Sequence, residues 1–371
     1  MKILLIGNYA ADRQESMLRY AELLRGGLAD AGHDVTLSAP QQRLARAGPR
    51  GMRKWIGYID KFILSPRQLA RAARRADVVH VCDHSNAMYV PSSSSVPYVA
   101  TCHDLLAVRG AMGEVPDCAA SSMGRHLQMA ILRGLRRSHA VACVSTATMH
   151  DARRLLNGYQ GKLALVPNSL NHPYRKLDAK TVRERLTENG LSNVGEYVLS
   201  VGSSHRRKNR ECILHAMAHV ARSWNGRFVF AGLPLSPDHR ELAARLGVAD
   251  RLVEVTGPGN DLLEALYNGA LALLFPSRFE GFGWPVIEAQ VCGCPVICSD
   301  HPPMSEVAGG AAILCNADDH EAFAQAILEL AGSSARRDQL TRAGLQNAAL
   351  FDRSTMIGKF VSLYEQVAGR A

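Results

Sequence analysis

A glycine-rich turn between two apolar segments decides the fold: Phe275-Pro-Ser-Arg-Phe-Glu-Gly-Phe-Gly-Trp-Pro-Val-Ile-Glu-Ala-Gln-Val-Cys-Gly-Cys-Pro-Val-Ile-Cys-Ser-Asp300. The apolar run that ends at Phe275 is typical of a buried strand. Pro285 suits the first position of a helix, which we expect to run to about Cys292, because the amide proton that proline lacks is unpaired there anyway. The stretch therefore predicts a strand, a turn and a helix of an α/β fold.

Two carboxylates, Glu280 and Glu288, lie eight positions apart around this turn. Gly281 and Gly283 allow the backbone to approach a ligand closely. A helix N-terminus binds phosphate or ring hydroxyls through its unpaired N–H groups and partial positive charge, and carboxylates accept hydrogen bonds from hydroxyls. The pattern predicts a sugar-nucleotide site; the alternative is an ordinary Gly-Pro turn with two solvated acids.

Residues 275–297 resemble the hallmark of the retaining glycosyltransferases of family 4, in which Glu-x7-Glu lies within Glu-Gly-Phe-Gly-x-Pro-x-x-Glu-Ala. A weaker resemblance extends along almost the whole chain. It implies an α/β fold of two doubly wound Rossmann-like domains that face a central cleft (GT-B), with the acceptor handled mainly by the first domain and the donor by the second. It also implies that Glu280, with the backbone of Gly281, Phe282 and Gly283, binds the donor sugar and that Glu288 binds the ribose.

Apolar runs alternate with helical patterns in both halves of the chain, which predicts two parallel sheets. A chain of 371 residues usually needs more than one hydrophobic core, and 47% apolar residues suffice for two. We predict a first domain over residues 1–172 and a second over 173–354, with the polar segment 168–193 as the linker. The resemblance implies that the last helix, within 355–371, returns to the first domain.

A basic cluster follows a predicted strand in Ser200-Val-Gly-Ser-Ser-His-Arg-Arg-Lys-Asn209. Arg207 and Lys208 at the carboxyl edge of a parallel sheet can neutralise a diphosphate leaving group without a metal. The cluster resembles the family's Arg-Lys-Asn signature, although Ser203 stands where many relatives carry arginine. The alternative is an exposed basic helix start. Gly257 lies in a segment that resembles the family's nucleotide-base loop, and a purely structural turn is equally compatible.

His103 follows the predicted strand 98–102 and resembles the family histidine beside the reacting carbon. It is expected to hydrogen-bond a donor-sugar hydroxyl; the alternative is a structural histidine. Asp104 is expected to cap the following helix, a supporting role. We name Arg13 and Asn168 as acceptor-side candidates.

The formal charge of +9 is concentrated in the first half of the chain. Residues 1–180 carry 25 Lys and Arg against 13 Asp and Glu, whereas residues 181–371 carry 18 against 21. Ten basic residues and one acid, Asp60, lie from Arg43 to Arg75, with aromatic and aliphatic residues between them. This segment is a candidate contact for anionic membrane or a phosphate-bearing acceptor; the alternative is a solvated helix face. No recognition motif accompanies the charge, so we expect no nucleic acid partner.

Other patterns limit the class of protein. No apolar run reaches the ~18 residues of a membrane span, and the start of the chain lacks a signal-peptide layout, so we expect a cytoplasmic protein, with peripheral attachment to the inner face of the membrane as an option. The nine cysteines are expected to be reduced. The chain has neither Asp-x-Asp nor His-Glu-x-x-His, so we expect no metal, and the missing Gly-x-Gly-x-x-Gly argues against a dinucleotide.

Together with these patterns, the resemblance implies a retaining transferase that moves a hexosyl unit from a GDP- or UDP-sugar, with mannosyl or glucosyl as first guesses. The acceptor is expected to be a hydroxyl of a glycan, lipid-linked or small-molecule acceptor, and no further cofactor is expected. Two alternatives stay open. One is a catalytically inactive sugar-nucleotide-binding subunit that activates a partner; the other is a sugar-nucleotide epimerase on the same fold.

Overall fold

A computed structural model describes residues 1–12, 14–41, 44, 56–57, 59–115 and 118–369. The chain divides into two compact units. Unit 1 comprises Met1–Asn171 and Arg353–Ala371, and unit 2 comprises His172–Asp352. The domain limits predicted from the sequence differ from these limits by one or two residues.

Unit 1 contains a six-stranded parallel sheet in the order β2-β1-β3-β4-β5-β6. Its central strands are buried along their length, because helices cover a parallel sheet on both faces. Its strands are β1 (Lys2–Ile6), β2 (Asp34–Ser38), β3 (Val78–Val81), β4 (Tyr98–Cys102), β5 (Ala140–Cys143) and β6 (Lys162–Leu165).

The described helices of the first part of unit 1 are α1 (Glu15–Asp30), α2 (Ser65–Ala73), α3 (Leu106–Ala111), α4 (Ser122–Arg137) and α5 (Thr146–Leu155). Two of them begin at serine caps. The Ser121 side chain accepts a hydrogen bond from the Gly124 amide, and Ser145 accepts one from the Thr148 amide. These bonds satisfy amides that have no partner within the helix.

Unit 2 contains a second six-stranded parallel sheet, in the order β12-β11-β10-β7-β8-β9. Phe228, Phe230 and Phe275 are fully buried in its strands. The strands are β7 (Tyr197–Gly202), β8 (Arg227–Gly232), β9 (Leu252–Thr256), β10 (Ala272–Phe275), β11 (Val296–Ser299) and β12 (Ile313–Cys315).

The helices of unit 2 are α6 (Ala179–Glu188), α7 (Arg210–Val220), α8 (Pro237–Arg245), α9 (Asn260–Gly269), α10 (Trp284–Val291), α11 (Met304–Ala308), α12 (His320–Gly332) and α13 (Ser334–Ala348). Helix α6 corrects the predicted linker over 168–193, because residues from His172 onward belong to unit 2. The Asp178 carboxylate caps α6, and Val182 and Leu186 bury one face of it. Because the segment is rich in charged residues, its amphipathic helix was not predicted from the sequence.

The last helix, α14 (Arg353–Val367), packs within unit 1. Its Phe360 and Tyr364 are fully buried, and the Tyr364 hydroxyl lies 2.5 Å from Nδ1 of His80 on β3. Gly27 of α1 makes room for α14, because a Cβ atom there would lie 2.6 Å from Cδ1 of Ile357. The helix therefore completes the core of unit 1.

Both predicted parallel sheets are present, so the predicted α/β class of two Rossmann-like domains is confirmed. The predicted strand over residues 98–102 is β4, and the apolar run that ends at Phe275 is β10. Among the described residues, no helix is long and apolar enough to cross a membrane.

Candidate functional site

Three glycines line the carboxyl edge of the unit 2 sheet at neighbouring positions. Gly202 ends β7, Gly232 ends β8 and Gly257 follows β9, with φ values of 133°, 127° and 59° that favour glycine. A Cβ atom on Gly232 would lie 2.3 Å from the Gly202 carbonyl oxygen, whereas one on Gly257 would have no neighbour within 4 Å. The edge thus exposes backbone without side chains, as a surface for a ligand's phosphates or base requires.

The basic cluster forms a 3-10 turn, Arg206–Lys208, that is separate from the start of α7. Asn209 adopts the left-handed conformation, with φ 56°, and so interrupts the helix between Lys208 and Arg210. Its side-chain amide is buried and donates to the carbonyl oxygens of Pro276, at 3.2 Å, and Ala317, at 2.6 Å. Asn209 therefore fixes the basic turn to the end of β10.

Glu280 is held between the two cations of this turn. Its Oε1 lies 2.6 Å from Lys208 Nζ and its Oε2 lies 2.8 Å from Arg207 Nη1. The side chains of Glu280 and Lys208 are only 10% and 13% exposed. The sequence alone also allows Glu280 to be a solvated acid of the glycine turn. The structure instead buries Glu280 in an ion-pair network.

Burial and charge oppose each other in this network. Burial acts to raise the pKa of Glu280, but Lys208 and Arg207 outweigh it, so the pKa stays below its ordinary value. Burial lowers the pKa of Lys208, although Glu280 acts in the opposite direction. The Lys208 ammonium also lies 4.7 Å from the centre of the Phe275 ring, a favourable cation–π distance. Each charge of the network thus has an opposite charge beside it.

Helix α10 begins directly after Gly283, whose φ of 99° turns the chain into it. Pro285 is its second residue, not the first as predicted. Glu288 lies one turn further on, is 5% exposed, and accepts a hydrogen bond of 2.8 Å from the Tyr267 hydroxyl. Tyr267 thereby orients the second carboxylate of the motif.

Two further donor-site candidates, Phe282 and Ser203, differ in exposure. The Phe282 side chain is 3% exposed and packs against Trp284 and Phe351, with ring centres 6.0 and 5.7 Å away. It anchors the turn, so any contact of residue 282 with a ligand would be made by its backbone. Ser203 is half-buried in the loop after β7.

In unit 1, His103 follows β4 and is 6% exposed. Its Nε2 lies 3.0 Å from the Cys82 carbonyl oxygen, and its ring packs edge-on against Tyr20 at 4.6 Å. Burial lowers the pKa of His103, although the nearby Asp83 carboxylate acts to raise it. Asp104 accepts a hydrogen bond from the Leu106 amide at the start of α3, as expected of a supporting residue.

A buried polar network lies at the same edge of the unit 1 sheet. The Asp83 carboxylate accepts hydrogen bonds from the Asn8 side chain, at 2.6 Å, and the Ser85 amide, at 3.0 Å, and it lies 3.1 Å from His84 Nδ1. Burial acts to raise the pKa of Asp83, but His84 and the hydrogen bonds outweigh it and hold the pKa well below its ordinary value. Asn86 donates to Asn8 in turn, at 3.1 Å.

The two acceptor-side candidates have different outcomes. Asn168 is 1% exposed, and its side-chain amide has no hydrogen-bond partner among the described residues. Such an amide normally has one, because burial without a partner costs ~1–3 kcal/mol. Arg13 lies outside the described residues.

Sequence reasoning missed three residues that organise these edges. Tyr267 has the appearance of an ordinary helix residue, and Asp83 that of a strand end. Arg210 is 3% exposed and donates to the carbonyl oxygens of Gly202, at 2.9 Å, and Leu233, at 2.8 Å, so it ties the ends of β7 and β8 together. A charged residue directly after the Arg-Lys-Asn motif was the available signal for Arg210; the sequence carries none for Tyr267.

No group of three or more His, Cys, Asp or Glu side chains among the described residues could hold a metal ion. Three histidines do lie together in unit 2. The His320 ring is stacked on His215 and on His219, with ring centres 5.0 and 4.9 Å away and interplanar angles of 22° and 23°. Nearly parallel rings do not direct their nitrogen lone pairs at one point, so this cluster lacks the geometry of a metal site.

Within the basic segment, Arg43, Arg46, Arg50, Arg53 and Lys54 lie outside the described residues. In the described part, Arg67 and Arg71 are exposed on α2, and Arg74 is exposed directly after it. No acid among the described residues pairs with them. Ile59 and Ile63, which precede them, are 41% and 54% exposed. Exposed isoleucine and arginine side chains thus follow one another along this part of the chain.

Comparison with known proteins agrees with these features. A protein of similar sequence is the O-antigen chain mannosyltransferase B of Escherichia coli, 25% identical over 309 residues, or 82% of this chain and 78% of that protein. A D-inositol 3-phosphate glycosyltransferase of Acidothermus cellulolyticus is 28% identical over 289 residues, which cover 72% of this chain and 62% of the relative. The sucrose-phosphate synthase of Thermosynechococcus elongatus has a similar fold, with a TM-score of 0.76 over the full length of both chains at 20% identity.

Two family models match consecutive parts of the chain. The model described as Glycosyltransferase Family 4 matches residues 17–172, and the model described as Glycosyl transferases group 1 matches residues 195–333. The first covers most of unit 1, and the second covers the glycine edge, the basic turn and the Glu-x7-Glu motif of unit 2. With both sheets and both family models in agreement, the chain is a glycosyltransferase of the family 4 type.

Proposed function

We propose that the protein is a retaining hexosyltransferase that takes its sugar from a nucleoside diphosphate donor and needs no metal ion. The observation that carries this proposal is the network of Lys208, Arg207 and Glu280, which places two cations and a buried carboxylate at the carboxyl edge of one parallel sheet. A diphosphate and the hydroxyls of a sugar are the groups that such a set recognises.

In this proposal, Lys208 and Arg207 bind the diphosphate. As the bond between the sugar and the diphosphate breaks, negative charge grows on the leaving group, and fixed cations stabilise it without reorganisation. A divalent ion performs this task in enzymes with an acidic metal motif, and this chain has no Asp-x-Asp. The paired cations support a metal-independent reaction.

The acidic side chains take the uncharged parts of the donor. Glu280 accepts hydrogen bonds from sugar hydroxyls near carbons 3 and 4, with the backbone of 281–283 alongside, and Glu288, held by Tyr267, accepts those of the ribose. Gly257 and Ser203 lie at the strand ends of the same unit and complete the donor-binding residues. For His103 of unit 1, we propose a hydrogen bond to a donor-sugar hydroxyl.

The reaction that we propose retains the configuration at the anomeric carbon. No side chain of the candidate site is assigned as a covalent nucleophile, so we favour departure and attack on the same face of the sugar. The bond from the anomeric carbon to the diphosphate oxygen breaks, the bond to the acceptor oxygen forms, and the acceptor proton passes to the leaving diphosphate. The acceptor is a hydroxyl of a glycan or lipid-linked acceptor, with Asn168 and Arg13 as candidate contacts.

The test is a thermal-shift panel of GDP- and UDP-sugars, with GDP-mannose and UDP-glucose first, because the relatives include mannosyltransferases. A ligand at 100 times its dissociation constant stabilises the protein by about 2.7 kcal/mol. Proton NMR of the product made from the stabilising donor then reads the anomeric configuration. No stabilisation by any member of the panel contradicts the proposed donor class, and an inverted product contradicts the proposed mechanism.

We further propose that the exposed face of α2 contacts anionic membrane, which would bring the enzyme to a lipid-linked acceptor. The exposed Arg67, Arg71 and Arg74 each contribute ~1 kcal/mol near such a surface. The adjacent Ile59 and Ile63 offer apolar surface for the lipid.

Vesicle co-sedimentation tests the contact, with neutral vesicles against vesicles that contain phosphatidylglycerol. We expect binding only to the anionic vesicles, loss of binding at high salt because of screening over ~10 Å at 0.1 M, and weaker binding when the three arginines are replaced by glutamine. Equal recovery with both lipids, or none with either, removes the membrane and favours a soluble acceptor.

A further inference from the structure

Glu280 forms ion pairs with the two cations that, in the proposed function, bind the diphosphate. Each of its oxygens faces a different cation, Lys208 at 2.6 Å and Arg207 at 2.8 Å. The exposed fractions of the three side chains are 10% for Glu280, 13% for Lys208 and 30% for Arg207. The site therefore contains its own anion.

The backbone that precedes Glu280 is joined to the turn that carries the cations. The Arg278 amide donates to the Arg207 carbonyl oxygen at 2.8 Å, and the Arg207 guanidinium donates to the Phe279 carbonyl oxygen at 2.9 Å. The basic turn and the residues before Glu280 are thus bonded to each other in both directions. A diphosphate that enters meets a carboxylate already at hydrogen-bond distance from both cations.

A second anion at this place changes the balance of charge. A nucleoside diphosphate places its negative groups beside Glu280. Like charges repel each other strongly in a buried site, where the effective dielectric constant is lower than in water. A nucleotide sugar relieves the conflict, because its hydroxyls donate hydrogen bonds that a carboxylate accepts. A diphosphate without a sugar offers no such donors. The carboxylate therefore distinguishes the donor from the product that remains after transfer.

We propose that Glu280 is an internal competitor of the diphosphate. It neutralises Lys208 and Arg207 in the empty enzyme, turns to the sugar hydroxyls when the donor binds, and returns to the cations once the sugar has left, which promotes release of the nucleoside diphosphate. The inference rests on the proposed function, because it adds a second role to a residue of the same donor site.

Replacement of the acid by its neutral isostere separates the two roles. In the Glu280→Gln variant, Lys208 and Arg207 lose their internal counter-ion, so we expect UDP or GDP, and inorganic pyrophosphate, to bind at least about fivefold more tightly than to the parent. Isothermal titration calorimetry with these three probes measures the change. The matched control is Glu329→Gln, which removes an exposed acid of the same unit that pairs with Arg336 at 2.8 Å, and we expect its affinities to equal those of the parent.

A Lys208→Ala background shows whether the gain depends on the cation. There, the Glu280→Gln substitution should tighten diphosphate binding by a clearly smaller factor, because the two residues act on one interaction. If Glu280→Gln does not fold, as judged by circular dichroism, Glu280→Ala and Glu280→Ser are measured in the same way, since both remove the charge.

The outcomes separate the inference from the proposed function. Tighter binding in the charge-removed variants supports internal competition even if the parent binds none of the probes, and affinity equal to or weaker than that of the parent overturns it. A parent that binds neither UDP nor GDP, nor any nucleotide sugar, contradicts the proposed donor class instead.

Discussion

The carboxyl edges of the two sheets carry different kinds of polar groups. In unit 2, the edge has glycines, two cations and Glu280, with the charges paired to each other. In unit 1, it has a buried imidazole, His103, and a buried carboxylate, Asp83, which is held by side chains of its own unit. The folds of the two units are alike, and the chemistry of their edges is not.

The difference follows from what each edge can do with charge. Cations on a short turn over bare glycine backbone can exchange one anion for another, so the edge of unit 2 suits a phosphate-bearing ligand. The Asp83 carboxylate of unit 1 already receives hydrogen bonds from Asn8 and Ser85, so this edge is arranged to keep its charge in place. We expect substitutions at the edge of unit 2 to change the affinity for UDP or GDP, which lack the sugar, and substitutions within unit 1 to leave that affinity unchanged.

The largest expected effect is that of Lys208→Ala on diphosphate binding. A charge-assisted hydrogen bond to phosphate contributes about 1.5–3 kcal/mol, so the dissociation constant for UDP or GDP should rise by one to two orders of magnitude. Calorimetry measures it. Arg245→Ala removes an exposed cation of the same unit, paired with Glu241, and serves as the control. Unchanged affinity in Lys208→Ala would move the phosphate site elsewhere.

The next largest expected effect is the loss of stability at acidic pH that the buried His80 of unit 1 causes. Burial lowers the pKa of His80 to about 3, and the imidazole lies between Tyr364 and Thr101, 2.8 Å from the latter. The folded protein therefore keeps His80 neutral, whereas the unfolded chain takes up a proton below about pH 6.5. The contribution of the neutral His80 to the free energy of unfolding is complete above the pKa that His80 has in the unfolded chain. It is lost as the pH falls, by about 2 kcal/mol between pH 6.5 and pH 5.

Urea unfolding at pH 7 and pH 5 measures this loss. The His80→Phe variant should be less stable at pH 7, because it lacks both hydrogen bonds, but it should lose less on acidification than the parent. His150→Phe, at an exposed position of the same unit, should keep the pH dependence of the parent. An equal loss in His80→Phe and the parent would show that other groups cause the acid sensitivity.

Turnover is expected to fall at least tenfold in Glu280→Gln, equivalent to about 1.4 kcal/mol of transition-state stabilisation. The variant lacks the charged acceptor for sugar hydroxyls, whatever its affinity for the bare diphosphate. Steady-state rates with the donor from the ligand panel provide the measurement, with Glu329→Gln as the control. Near-normal turnover in a folded variant would exclude a catalytic role for this carboxylate.

The smallest expected effect is that of chelation. If Lys208 and Arg207 alone balance the leaving group, activity in EDTA should equal activity in buffer, and added magnesium or manganese should not increase it. Loss of turnover in EDTA that either ion restores would contradict metal independence. It would require acidic metal ligands other than the residues of the proposed donor site.

The sequence predicted the sheets well, because a buried parallel strand requires a continuous apolar run and its ends are marked by glycine or charge. It predicted that Glu280, Lys208 and Arg207 share a site, because their motifs follow strands whose carboxyl ends meet at one edge. It could not predict that the three are paired. That depends on Asn209, whose left-handed backbone and two carbonyl contacts link segments 67 and 108 residues apart.

The errors have physical causes as well. The segment 168–193 has the composition of a linker, but Asp178 caps a helix there and the Arg175 amide bonds to Glu264. Tyr267 could not be linked to Glu288 from spacing, since 21 residues and a strand separate them. Long-range hydrogen bonds of this kind leave no periodic trace in the sequence.

The return of α14 to unit 1 has a consequence for the order of events during synthesis. Unit 2 is contained within the interval 172–352, so all of its strands are made before residues 353–367. The core of unit 1 lacks Phe360 and Tyr364 until then, and His80 lacks the hydroxyl beside it. Since domains generally fold as units, and in order of synthesis, the half of the molecule that is begun first is completed last. During synthesis, unit 1 therefore stays incomplete while every strand of unit 2 is made.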